Sequence, residues 1–314
     1  MENKLKKIRL PKTGAIYAII LLIIVYSIIL KGGYLSLTNV ENVLRQSAAL
    51  CILALCAFLA IMTHQNDLSV GAIASMSGVV LGLLLSKELP LVVAILGALI
   101  SGFLIGILNG VIAGYTTVPP FVITLATMNI AKSIALVLNN GTLNVNNAVL
   151  KAFNATSLWI LPLPMLLVLA IYLVFFYILK QRRYGTMLYA VGGKEDAAVT
   201  AGINTKWIKM SVYLINGTLS ALAGVIYVAR LNAANPTQCN GLELEAIAAA
   251  VLGGTATSGG QGSVWGAFLG ALAMFILKNG MNLMGVRIIE QQLAIGIVLI
   301  LVLAFDIFNR GRRN

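Results

Sequence analysis

The chain has 314 residues, 59% of them hydrophobic and only 10% charged, with a mean hydropathy of +0.94; a water-soluble fold of this size cannot hide so much apolar surface. Several stretches of about 20 apolar residues fit the roughly 30 Å hydrocarbon core as helices, and their lack of strict alternation favours helices over a barrel. The net charge of +12 sits at segment ends and not in a groove-shaped patch, so nucleic acid is excluded as a partner.

The expected fold is therefore all-α: a polytopic membrane protein, one domain over residues 1–314, with about ten transmembrane helices. The basic start (Lys4, Lys6, Lys7, Arg9, Lys12) precedes a first helix over Ala15–Leu30, read as retained with a cytosolic N-terminus. Helix 2 is expected over Arg45–Thr63, followed by the polar run His64–Gly71 and helix 3 to Ser86. Helix 4 spans Leu91–Tyr115, with Gly97, Gly102, Gly106 and Gly110 inviting a close helix approach. Pro119 and Pro120 suit the start of helix 5, Phe121–Leu138. The asparagine-rich interval Asn139–Ser157 reads as a polar loop, and helix 6 as Leu161–Leu179.

Lys180–Lys209 is the longest polar interval. Helix 7 follows over Ile208–Val228, then a second polar loop, Asn232–Gly241. The short segment Glu243–Leu252 ends in a glycine-rich run, Gly253–Ser263, before helix 9 (Val264–Leu277) and helix 10 (Ile289–Phe308). The chain ends in Arg310, Arg312 and Arg313. Ten crossings place both termini and the Lys180–Lys209 loop in the cytosol, where most Lys and Arg then lie. LGAL recurs at Leu96–Leu99 and Leu269–Leu272, which reads either as chance in an apolar chain or as a repeat behind two glycine-rich, polar interruptions.

The Lys180–Lys209 interval is either a solvated connector or the site of a short helix offered to a cytosolic partner. Gly192 and Gly193 would let the chain turn, Glu195 and Asp196 would open the helix with Ala197 behind them, and Gly202 would close it. Asp67, beside Asn66 and Ser69, is a candidate for the translocation pathway and also for a cap on helix 3. His64 reads as a surface or interface histidine. Thr124, Met128 and Lys132 share one face of helix 5, near Thr127, and Lys132 either lines the pathway or snorkels. Glu243 and Glu245 either pair with an outer partner or cap their own segment, and Asn235 stands in an outer loop suited to docking or to ordinary turns. Cys51, Cys56 and Cys239 have no metal spacing, the single histidine excludes a histidine cluster, and no metal or cofactor is expected. No nucleophile–base pair or zinc-protease spacing is present, so the chain is not read as an enzyme.

Three segments resemble the permease subunits of ribose-type ABC importers, the carbohydrate-uptake group. They are Asn66–Gly78 (NDLSVGAIASMSG), Pro119–Leu136 (PPFVITLATMNIAKSIAL), and Tyr184–Ile203 continuing through Asn235–Leu272. The resemblance implies a multi-pass protein of the bacterial cytoplasmic membrane that imports a sugar or related small polar solute. It implies three kinds of partner: cytosolic ABC ATPase subunits, an extracellular or periplasmic sugar-binding protein, and a second permease copy, identical or not. It also implies that Tyr184, Gly185 and the residues through Gly202 form the coupling helix region. The chain departs from the pattern at His64, Gln65 and Asn66, where small and apolar residues are usual. It lacks the G-x-x-x-x-G-K-[ST] phosphate loop, so ATP hydrolysis belongs to a partner. The alternative function is a secondary transporter or channel working without an ATPase.

Overall fold

The computed structural model describes residues 14–31 and 33–311. The N-terminal basic stretch and Arg312 and Arg313 lie outside these residues. The fold is predominantly helical, with α1 Gly14–Ile29, α2 Leu37–Met62, α3 Val70–Ser86, α4 Leu91–Tyr115 and α5 Pro120–Leu138 in the first half. The second half holds α6 Ala148–Ala155, α7 Leu163–Gln181, α8 Arg183–Gly193, α9 Glu195–Thr200, α10 Thr205–Leu231, α11 Leu242–Leu252, α12 Val264–Leu283 and α13 Ile288–Gly311. Among the described residues, six helices are long and apolar enough to cross a membrane: α2, α4, α5, α7, α10 and α12. The apolar helices α1 and α3 and the first part of α13 are shorter.

α2 is the axis of the bundle. Every residue from Ser47 to Met62 is buried, as expected of a helix apolar on all sides. It begins at Leu37 rather than the expected Arg45. Ser36 caps it by accepting the Asn39 N–H at 3.3 Å, and the i,i+4 pair of Glu41 and Arg45 lets the extra turns stay helical at the polar edge. By contrast α1 is peripheral: Tyr26 lies over Gly280 of α12 and donates to the Leu277 carbonyl at 3.0 Å, while Ile20, Leu21, Ile24 and Ile28 stay exposed.

α4 and α10 touch backbone to backbone. A methyl group on Gly106 would lie 2.6 Å from the Tyr213 carbonyl oxygen, on Gly110 2.8 Å from that of Met210, and on Gly114 2.9 Å from that of Lys206. Gly102 meets Gly217 the same way. The expected glycine seam is present, with Gly114 extending it. Gly97 faces the Leu84 side chain of α3 instead. Small residues at one face are what let helices associate where no hydrophobic force separates protein from lipid.

The Asn139–Ser157 interval is not a plain loop. It holds α6, capped by the Asn147 side chain, and strand β1 (Leu143–Asn144), which pairs antiparallel with β4 (Ala233–Ala234). A hairpin of β2 (Ser157–Leu158) and β3 (Leu161–Pro162) follows it. Asparagine content hid this, because the apolar residues of the cap, Val145 and Leu150, are few and pack under it against Leu81, Val225 and Val228.

Candidate functional site

The break between α2 and α3 is where the buried polar side chains gather. Ser69, and not Asp67, occupies the cap position of α3. Asp67 sits two residues earlier and accepts from the Ser69 N–H at 3.0 Å and the Ser69 hydroxyl at 2.6 Å. Its other oxygen accepts from Asn216 Nδ2 of α10 at 3.0 Å. Asn109 Nδ2 of α4 donates to the Ser69 hydroxyl at 2.9 Å, and Thr127 of α5 donates to Asn109 Oδ1 at 2.7 Å. Thr124 donates to the Asn66 carbonyl at 3.1 Å, and Tyr213 donates to Gln65 Oε1 at 3.2 Å. The break is thus tied to α4, α5 and α10. Buried polar groups need such partners, since each one left bare costs about 1–3 kcal/mol.

The geometry redistributes the expected pathway residues. Asp67, Ser69, Thr124 and Thr127 are all buried within the single chain and spent on this network. Asn66 and His64 are exposed, and Met128 and Lys132 are half-buried. The polar residues that α5 leaves exposed are Asn129 and Ser133, on either side of Lys132. Gln65, Asn109, Tyr213 and Asn216 were missed as site residues. A lone asparagine deep in a long apolar helix is the signal that marks Asn109 and Asn216, because an unpaired amide there is expensive.

The Lys180–Lys209 interval is mostly helix. α8 follows α7 after a single-residue break at Arg182, where Gly185 is needed because any side chain there would strike the Leu179 carbonyl. Tyr184 shares a 2.8 Å hydrogen bond with Ser211 of α10, and burial pushes its phenol above the usual range, so it stays protonated. The expected short helix exists as α9, opened by Glu195 and Asp196. Gly202 closes it in a left-handed conformation, φ +78°. Gly192 and Gly193 do not make the turn, however. They are the last residues of α8, and Lys194 turns the chain in extended conformation. Gly192 is instead a contact: a methyl group there would collide with the Met62 carbonyl at the end of α2. Gly260 donates its N–H to that same carbonyl at 3.1 Å, and His64 abuts Gly259. Three segments therefore meet backbone to backbone: α8, the end of α2 and the glycine-rich run.

Glu195 is held by an ion pair of 2.6 Å with Lys209 at the start of α10. Asp196, Ala197 and Val199 point away from the bundle, and Trp207 is also exposed.

At the opposite end, Asn235 is half-buried and organises a turn, its Oδ1 accepting the Thr237 N–H at 2.8 Å while its Nδ2 donates to Thr142 at 2.8 Å. Glu245 is ion-paired with Lys278 at 2.9 Å in a cleft also lined by Gln46, Tyr227, Arg230 and Asn282. Glu243 is buried, and its Oε1 accepts the Gly241 N–H at 3.3 Å. All three cysteines are buried free thiols. No group of three His, Cys, Asp or Glu with metal-binding proximity occurs among the described residues.

The sequence pattern of one protein family, described as the branched-chain amino acid transport system / permease component, matches residues 39–303. The ribose import permease protein RbsC of Escherichia coli K12 is 35% identical over 302 residues, covering 95% of this chain and 94% of that protein. The ribose import permease protein RbsC of Bacillus subtilis 168 is 36% identical over 302 residues, covering 95% and 93%. The D-allose transport system permease protein AlsC of Escherichia coli K12 is 31% identical over 298 residues, covering 94% and 91%. No solved structure matches the chain significantly.

Proposed function

The chain belongs to the branched-chain amino acid transport system / permease component family, an integral membrane transport subunit and not an enzyme, and we propose that it carries a ribose-like monosaccharide or related polar solute inward. The family description names amino acids. The relatives similar over nearly the whole length are permeases for ribose and D-allose, and they favour a sugar.

In this reading two permease copies form the pathway in the cytoplasmic membrane of a bacterium. ABC ATPase subunits dock on α9, and an extracellular or periplasmic sugar-binding protein docks at the far end around Asn235, with Glu243 and Glu245 below it. About ten crossings with cytosolic termini place α9 inside. The basic side chains gathered at that end support this orientation: Lys180 lies 5.0 Å from the Phe176 ring and Arg182 5.0 Å from the Tyr177 ring, as at a cytosolic membrane edge.

The observation that carries the reading is α9 itself. It is a short helix braced by Glu195–Lys209, open on its Asp196, Ala197 and Val199 face, and it begins three positions after Gly192, which contacts Met62. ATP-driven movement of a partner on that face would be passed through Gly192 to the break before α3. The variants Asp196→Lys and Val199→Asp are the sharper test, because Glu195→Lys would also break the internal ion pair. With them the ATPase should no longer co-purify while the permease still inserts normally. Undiminished co-purification removes the assigned role of α9. Sugar uptake by proteoliposomes of the permease without nucleotide or ATPase would favour a secondary transporter or channel.

A further inference from the structure

The segment between β4 and α11 lies along α3 in a groove made by small residues at one helical face: Gly71, Ser75, Gly78 and Gly82. Ala234 packs on Gly82, the Gln238 side chain reaches to 2.6 Å from where a methyl on Gly78 would be, and the Cys239 N–H donates to the Ser75 hydroxyl at 3.0 Å. The segment therefore runs down α3 and delivers Glu243, the second residue of α11, to Gly71. The carboxylate fills the space that a side chain at position 71 would need.

α11 thus begins inside the bundle. Gly71 lies two residues beyond Ser69, and Ser69 and Thr127 bind the same Asn109. Lys132 lies five residues beyond Thr127, a rise of about 7–8 Å, and about 18 Å from the start of α5. Glu243 and Lys132 are consequently at similar heights along the bundle, inside the span of α5. α5 packs on α3 at this height, Ala131 and Ala135 clustering with Ile73 and Met76, and the Lys132 charge acts on Glu243.

Two facts set this pair apart from a structural ion pair. Glu243 Oε2 is buried and has no hydrogen-bond partner, although the residue is only 7% exposed. A bare carboxylate oxygen at this depth is costly unless something else satisfies it. Lys132 is half-buried beside the exposed Asn129 and Ser133, so three polar side chains share this stretch of α5.

We propose that Glu243 Oε2 and Lys132 form a solute-contacting subsite inside the bundle, which binds the hydroxyl groups of a neutral polyol when α3, α5 and α11 part to open the pathway. The carboxylate accepts from one hydroxyl and the ammonium donates to another, while Asn129 and Ser133 line the approach. Gly71 makes room for the carboxylate, and the descent of residues 234–243 along α3 places it. The assignment rests on the sugar-importer reading and deepens it.

The test uses the permease assembled with its ATPase and sugar-binding protein in proteoliposomes, with D-ribose and D-allose as probes at saturating binding protein. Lys132→Met and Glu243→Gln should each lower uptake about tenfold, the scale of one hydrogen bond to a charged group. The exchange Lys132→Glu with Glu243→Lys should not restore it. Lys132→Cys provides a check independent of folding, since the native cysteines are buried. An aminoethyl methanethiosulfonate reagent, which restores an ammonium, should recover uptake, whereas the sulfonatoethyl reagent should not. Either probe sugar should slow the modification. Wild-type uptake with full uptake in both single variants overturns the subsite, as does recovery by the exchange or modification indifferent to sugar. Failure of the wild-type complex to move either sugar overturns the sugar reading, and this inference with it.

Discussion

At the scale of single residues, adjacent glycines in the coupling segment have opposite standing. Gly192 is pressed on the Met62 carbonyl and the Gly260 N–H, while a methyl on Gly193 would meet nothing within 4 Å. Backbone cannot yield as a flexible side chain can, so Gly192→Ala must push α8 away from the end of α2. We expect Gly192→Ala to leave ATP hydrolysis running in the assembled complex with sugar uptake reduced at least tenfold, and Gly193→Ala to behave as wild type. The ratio of sugar moved to ATP hydrolysed measures this, and equal ratios in the two variants would remove Gly192 from the transmission route. Polar residues of the break follow the same logic of unforgiving neighbours. Asp67 holds Ser69 and Asn216 at once, so its loss strands several buried groups.

At the scale of elements, the contact of α4 with α10 joins the two halves of the fold backbone to backbone. Gly102, Gly106, Gly110 and Gly114 place one helix backbone against the other over more than three turns. Asn109 on the same helix binds the break, and Asn216 on the partner binds Asp67. The seam therefore fixes the distance between two arms of the polar network. Gly106→Val should cost about 1–3 kcal/mol through overpacking, read as a lower thermal midpoint in detergent. Substitution at Gly97, which meets only the movable Leu84 side chain, should cost less. An equal drop at both positions would contradict the backbone seam.

At the scale of the whole molecule, α5 leaves Leu125, Asn129, Ser133 and Leu136 exposed, a mixed face unsuited to lipid. A second permease copy covering it would form the shared pathway. Asn129→Cys should then form a disulfide between copies under mild oxidation, seen as a dimer on a non-reducing gel. A monomer band alone would move the copy-to-copy contact elsewhere. The class of the protein was legible in its sequence: spans of about 20 apolar residues, basic ends, an α9 opened by Glu195 and Asp196, and the glycine spacing of α4. These are properties of one segment at a time, set by the bilayer and by helix periodicity. The partner of each segment was not legible. Thr124 and Thr127 look the same in sequence whether they line a pathway or bind Asn66 and Asn109, and Gly192 looks like a turn residue until Met62 lies beneath it. Lys132 and Glu243 stand 111 positions apart in the chain, and only the descent of residues 234–243 along α3 brings them to one depth. Hydrophobic pattern determines which stretches enter the membrane, whereas the pairing of buried polar groups depends on which helices pack together, and only the tertiary structure decides that.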